Sequence, residues 1–139
     1  MSKDVKFSRL IGVQRAEDSD VMELPFSENV LNHIGHMHAS AQFALAEIGS
    51  GDFMRQHFPD LDGKVLAVVR RAEIKYSKAV DGNLQAFASI DEQEENRFRK
   101  QLLDRGRALL PVNVKLKNVN GETATSAVYH WFVSSMVSK

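Results

Sequence analysis

Hydrophobic and polar positions along the chain alternate in several short runs, interrupted by one long stretch with a helical period. Residues 7–17 and 20–27 read as two strands joined by the turn-prone Asp18-Ser19-Asp20. Val21, Glu23, Leu24 and Phe26 alternate in the second, and Pro25 marks an edge or an end. Residues 28–36 read as loop. From about Met37 to about His57 the spacing predicts a helix rich in Ala and apolar on nearly all sides, as buried helices are. Gly49 and Gly51 weaken its second half and would let another backbone come close.

After Pro59-Asp60-Leu61-Asp62-Gly63 comes a β-rich stretch over 64–80, then the turn Asp81-Gly82-Asn83 and a strand over 84–91. Residues 92–107 predict a charged helix with a sparse stripe of Phe98, Leu102 and Leu103. Its acids come first and its bases last, which suits the helix dipole. Strands over 109–119 and 123–137, around a turn at Asn118–Gly121, close the chain. The order is β-β-α-β-β-(α)-β-β. A mostly antiparallel sheet of about five to six strands wrapped round one long helix would bury that helix on most sides, giving an α+β domain over residues 1–139.

Composition narrows the function classes. The 18 basic and 18 acidic residues balance, so no bulk charge argues for nucleic acid or an anionic membrane. Acids flank or face the clusters Arg70-Arg71 and Arg97-Arg99-Lys100. With no cysteine, disulfides, thiolate nucleophiles and Cys-based zinc sites are excluded. The first residues lack an apolar core for a signal peptide, and no window is long enough for a membrane span. A cytoplasmic protein is the expectation.

The stretch from Asn32 to Glu47 carries the candidate chemistry. A polar loop with Asn32, His33, His36 and His38 leads into the helix, where Glu47 is a lone carboxylate in an apolar run. A buried acid is paired, neutralised or used. The three histidines do not fall at His-x-x-x-His spacing on a helix, so no metal is expected.

Asn32-x-x-Gly35-x-Met37-His38-Ala39-Ser40, with Leu45-Ala46-Glu47 behind it, resembles the start of the central helix in the hotdog-fold acyl-CoA thioesterases. It looks most like the PaaI-like group and the thioesterases related to the C-terminal domain of YiiD. Ile74 to Leu84 and the run Arg105-Gly106-Arg107-Ala108 resemble later segments of the same proteins. The resemblance implies a hotdog fold and hydrolysis of an acyl-CoA, with coenzyme A as part of the substrate and no separate cofactor. This sequence departs from the pattern in two places: Ala39 and Ser40 replace a Gly-Gly pair, and Glu47 replaces the Asp of many members.

The resemblance also implies roles. The helix N-terminus would stabilise the oxyanion, through the Ala39 N–H first and the Ser40 N–H second. Glu47 would act as general base or as nucleophile, two roles the sequence does not separate. Asn32 would orient water or the thioester carbonyl, or else serve as a turn or cap residue. His38 would hold the loop or contact substrate. Arg70, Arg71, Lys75 and Lys78 could hold the coenzyme A phosphates, although such exposed strand cations are usually just solvated.

Ala39 and Glu47 lie eight residues apart on one helix. At about 1.5 Å per residue that is roughly 12 Å, more than one Glu side chain spans. If both serve one reaction, they come from two antiparallel helices in different subunits. A homodimer is therefore expected, with a homotetramer as a further step. A non-catalytic hotdog protein that binds acyl-CoA or a related ligand is the second reading. A dehydratase is a weaker third, suggested by the His33-to-Glu47 spacing but lacking the surrounding residues of that group.

Overall fold

The computed structural model describes residues 5–136. In chain order the elements are α1 (Lys6–Ile11), β1 (Gln14–Arg15), β2 (Met22–Leu24), α2 (Ala39–His57), β3 (Val65–Tyr76), β4 (Leu84–Ser89), α3 (Glu92–Arg105), β5 (Arg107–Lys117) and β6 (Thr123–Ser135). A single 3₁₀ turn over Glu28–Val30 interrupts the loop before α2.

The six strands form one antiparallel sheet in the order β1-β2-β4-β5-β6-β3. α2 packs on β2, β4, β5 and β6. This is the sheet wrapped round a helix that the element order predicts, and the hotdog architecture that the resemblance implies.

The structure corrects the strand expected over 7–17. Its first part is helix α1, and only Gln14–Arg15 pairs as strand. Phe7, Leu10 and Ile11 stand at three- and four-residue spacing, a helical period, and Gly12 ends the helix at φ 93° with its N–H on the Ser8 and Arg9 carbonyls. The other expected elements are present with ends shifted by a few residues. Residue 137, the expected end of the last strand, lies outside the described residues.

The inner face of the sheet is set by strict alternation. Along β5, Ala108, Leu110, Val112, Val114 and Leu116 are buried while Leu109, Asn113 and Lys115 are exposed. Tyr129, Trp131 and Val133 do the same on β6. α2 comes close to this face where its residues are small. A Cβ on Gly49 would lie 2.6 Å from the Ala86 Cβ, and one on Gly51 would lie 3.3 Å from the Trp131 ring. α3, N-capped by the Asp91 carboxylate, seals the end of α2 through Phe98, whose ring stands 5.3 Å from Phe58.

β3 and β1 are the two edges of the sheet. β3 runs for 12 residues and pairs only with β6, with a bulge between Val69 and Arg71.

Candidate active site

Backbone and side-chain hydrogen bonds build the start of α2. Asn32 Oδ1 accepts from the N–H groups of Ile34 and His36, both at 3.0 Å, and closes the loop around Gly35, whose φ is 82°. The loop is then anchored to the body: His38 N–H donates to Val30 O at 2.7 Å and Met37 N–H to Val80 O at 2.8 Å. Of the two roles open to Asn32, its carbonyl oxygen therefore performs the turn role.

His38 is the N-cap. Its Nδ1 accepts from Ser40 N–H at 3.0 Å, and its carbonyl accepts from Ala41 N–H and Gln42 N–H. The Ser40 donor is thus engaged inside the cap. The Ala39 N–H has no acceptor among the described residues, and Ala39 is exposed. One donor at the head of α2 remains directed by the helix and open to a ligand. His38 is the residue that arranges this, by taking the neighbouring N–H for itself.

Ala39, Phe43 and Glu47 follow at four-residue spacing and share one face of α2. Two tyrosines of the sheet are docked on this face. Tyr76 Oη donates to Ala39 O at 3.1 Å, and Tyr129 Oη donates to Phe43 O at 2.7 Å. Glu47 comes one turn later, half-buried, and its burial raises the carboxyl pKa above the ordinary value. Burial, with the nearby Glu47 and Tyr76 charges adding to it, raises the Tyr129 phenol as well. No salt bridge relieves Glu47 among the described residues.

Glu47 opens onto a cleft of about 480 Å³, whose other walls include Met22, Ile48, Gly51 and Trp131. A polar cluster that the sequence alone does not reveal lies in the same cleft. Asp52 accepts from Arg15 (Nη2, 2.8 Å; Nη1, 3.2 Å), Arg55 (Nη2, 2.8 Å) and Gln56 (Nε2, 2.7 Å). Burial pushes the Asp52 carboxyl up, but the hydrogen bonds from Arg15 and Arg55 outweigh it and hold the group below the ordinary carboxylate range. The i, i+3 spacing of Asp52 and Arg55 is visible in the sequence; the reach of Arg15 across the fold is not.

The four cations that could hold coenzyme A phosphates do not converge. Arg70 lies over the Phe132 ring at 3.7 Å, Arg71 pairs with Glu73 at 3.2 Å, and Lys78 pairs with Glu122 at 3.0 Å. Lys75 makes no ion pair among the described residues. Lys75 and Lys78 flank Tyr76, and so stand at the end of β3 that meets the head of α2. Arg70 is six residues back along the strand, about 20 Å at roughly 3.3 Å per residue. Among the described residues no group of three or more His, Cys, Asp or Glu is gathered to hold a metal ion. Among the described residues no helix is long and apolar enough to cross a membrane.

The family model described as "Domain of unknown function (DUF4442)" matches residues 13–133. No curated protein matches the sequence. Among solved structures, the chain is similar to a protein of unknown function and probable thioesterase from Pseudomonas aeruginosa, PA5026. That match has a TM-score of 0.80 at 20% identity, over 96% of this chain and 89% of that one. It is also similar to the BH2602 protein of Bacillus halodurans, crystallised with CoA (TM-score 0.72, 23% identity, 94% of this chain and 76% of that one). A third is a variant of the thioesterase SAV0944 from Staphylococcus aureus (TM-score 0.69, 17% identity, 94% and 99%). At these identities the likeness is one of fold.

Proposed function

The chain belongs to the family described as Domain of unknown function (DUF4442), and on that premise we propose that it is an acyl-CoA thioesterase whose site is shared between two subunits. The observation that carries this reading is the open Ala39 N–H at the head of α2 on the same helix face as an unpaired, half-buried Glu47. An oxyanion donor and a carboxylate base are the two groups that thioester hydrolysis needs.

In the proposed reaction, the thioester carbonyl oxygen takes the Ala39 N–H of one subunit. Glu47 of the other takes a proton from water, and the water oxygen adds to the carbonyl carbon. The tetrahedral adduct collapses with release of the thiol, and the proton returns to the leaving sulfur. A direct attack by the Glu47 carboxylate, through an anhydride, uses the same two positions. Burial raises the Glu47 carboxyl pKa, which strengthens the group as a base and as a nucleophile alike.

Sharing between subunits is supported by spacing. Eight residues separate Ala39 from Glu47 along α2, about 12 Å. The unpaired edge of β3 offers a second copy a strand to join. Lys75 and Lys78 flank the strand residue bonded to the head of α2 and are the candidates for coenzyme A phosphates; Arg70 and Arg71 lie farther along the strand. The Bacillus halodurans neighbour crystallised with CoA supports a ligand of that type.

The test is release of free thiol from a panel of acyl-CoAs. The protein has no cysteine, so a thiol reagent reads only the product. Hydrolysis by the wild type that falls by about 10²–10⁴ in Glu47→Gln supports the reading. CoA thioesters that bind but are never hydrolysed would instead identify a non-catalytic binding protein.

A further inference from the structure

The cleft that holds Glu47 has a second polar end. Glu47, Gly51 and Arg55 follow at four-residue spacing on α2, and all three line the same cleft. Gly51 packs against the Trp131 ring, and the two form the cleft wall between Glu47 and Arg55. A chain attached to a carbonyl at Glu47 can therefore run over Gly51 and Trp131 toward Arg55.

What it meets there is a surplus of donors. A carboxylate has about four acceptor sites, and Asp52 fills them with two bonds from Arg15, one from Arg55 and one from Gln56. Arg15 is also held by Asp20 O at 2.9 Å. Arg55 is different. Its side chain is only 16% exposed, and Nη2 to Asp52 is its one hydrogen bond among the described residues. A guanidinium has about five N–H donors, so most of those on Arg55 have no acceptor among the described residues. A methyl group packed against them would take water away and return no acceptor, which is unfavourable. A carboxylate would satisfy them in the paired geometry that suits a guanidinium.

We propose that Arg55, steadied by Asp52, receives a carboxylate at the far end of the acyl group, so that the cleft selects monothioesters of α,ω-dicarboxylic acids over fatty acyl thioesters of equal length. This rests on the thioesterase reading of the site. The span sets the length. Glu47 and Arg55 are eight residues apart, roughly 12 Å along the axis, which an extended suberyl group with a hydrogen bond at its end covers.

The experiment compares kcat/KM for suberyl-CoA and octanoyl-CoA in the wild type, Arg55→Gln and Arg55→Lys. The wild type should favour suberyl-CoA by about tenfold to hundredfold, the scale of charge-assisted hydrogen bonds. Arg55→Gln should bring the ratio close to one, mainly through KM for suberyl-CoA. Arg55→Lys should keep part of the preference, because it keeps the charge and loses the paired geometry. A wild-type ratio near or below one overturns the proposal, as does a ratio unchanged in Arg55→Gln.

Should Arg55→Gln fail to fold, calorimetry on the wild type decides. Suberate should bind about ten times more tightly than octanoate, and equal or weaker binding overturns the proposal. If neither thioester is hydrolysed, the thioesterase reading fails, and the same calorimetric comparison still decides what Arg55 receives.

Discussion

Trp131 and Glu47 are joined through one buried hydroxyl: Trp131 Nε1 donates to Ser50 Oγ at 2.9 Å, and Ser50 Oγ donates to the Glu47 carbonyl oxygen at 2.7 Å. Ser50 is fully buried and Trp131 nearly so. Removing the hydroxyl leaves an indole N–H with no partner in the core. Ser50→Ala should therefore lower unfolding free energy by about 1–3 kcal/mol, measured by urea titration. Trp131 is the single tryptophan, so its emission reports the same change directly.

At Gly49 α2 packs directly against the sheet. Alanine normally gains about 1 kcal/mol over glycine inside a helix. Here the added Cβ would sit 2.6 Å from Ala86 Cβ, and both residues are held by their elements. Overpacking of this kind costs about 1–3 kcal/mol, so Gly49→Ala should destabilise despite its better propensity. Ala86→Gly in the same chain should recover part of the loss. A double-mutant cycle with no coupling between the two positions would contradict the close approach.

Glu47 should carry a stability signature apart from any catalysis. Its folded-state pKa is raised by burial. The native state thus holds the proton more tightly than the unfolded chain. The contribution favours folding below the unfolded pKa and is lost as pH rises through the folded pKa. Above that range the buried charge opposes folding. Glu47→Gln should melt at a higher temperature than the wild type at neutral pH, and the difference should close as pH falls through the carboxylate range. A variant less stable than the wild type at neutral pH would mean that the charged form has a partner.

Ala39 can be tested without damage to the fold, because it is the first residue of α2. Proline is well tolerated there, and it removes the N–H. The preceding His38 already has φ −61° and ψ 139°, the extended conformation that a following proline requires. Ala39→Pro and Glu47→Gln should each lose hydrolysis. Mixed and re-equilibrated, they should recover about a quarter of wild-type activity, since half the dimers are mixed and each then holds one intact site of two. A mixture that stays inactive while exchanging subunits would place both groups in one subunit.

The sheet and the long helix are legible in the sequence because their patterns are regular: alternation through Leu110, Val112 and Val114, and a helical period from Ala39 to His57. α1 reads as strand because a six-residue helix offers too few periods to separate from the alternation that Phe7, Ile11 and Val13 also allow. The head of α2 is legible as a motif. That Ser40 N–H is engaged by His38, and Ala39 N–H is not, depends on the rotamer of one imidazole, which no spacing encodes. The Arg15–Asp52–Arg55 cluster is hidden for another reason: Arg15 and Asp52 are 37 residues apart, and only the pairing of β1 with β2, on which α2 packs, brings them together.

The Tyr76 hydroxyl ties the last residue of the edge strand to the first carbonyl of α2. The edge strand and the head of the helix are therefore mechanically continuous. A strand added along β3 stiffens Tyr76, and through it the carbonyl of the residue that carries the open N–H. Assembly and donor placement then become a single event, so specific activity would fall on dilution before any loss of fold.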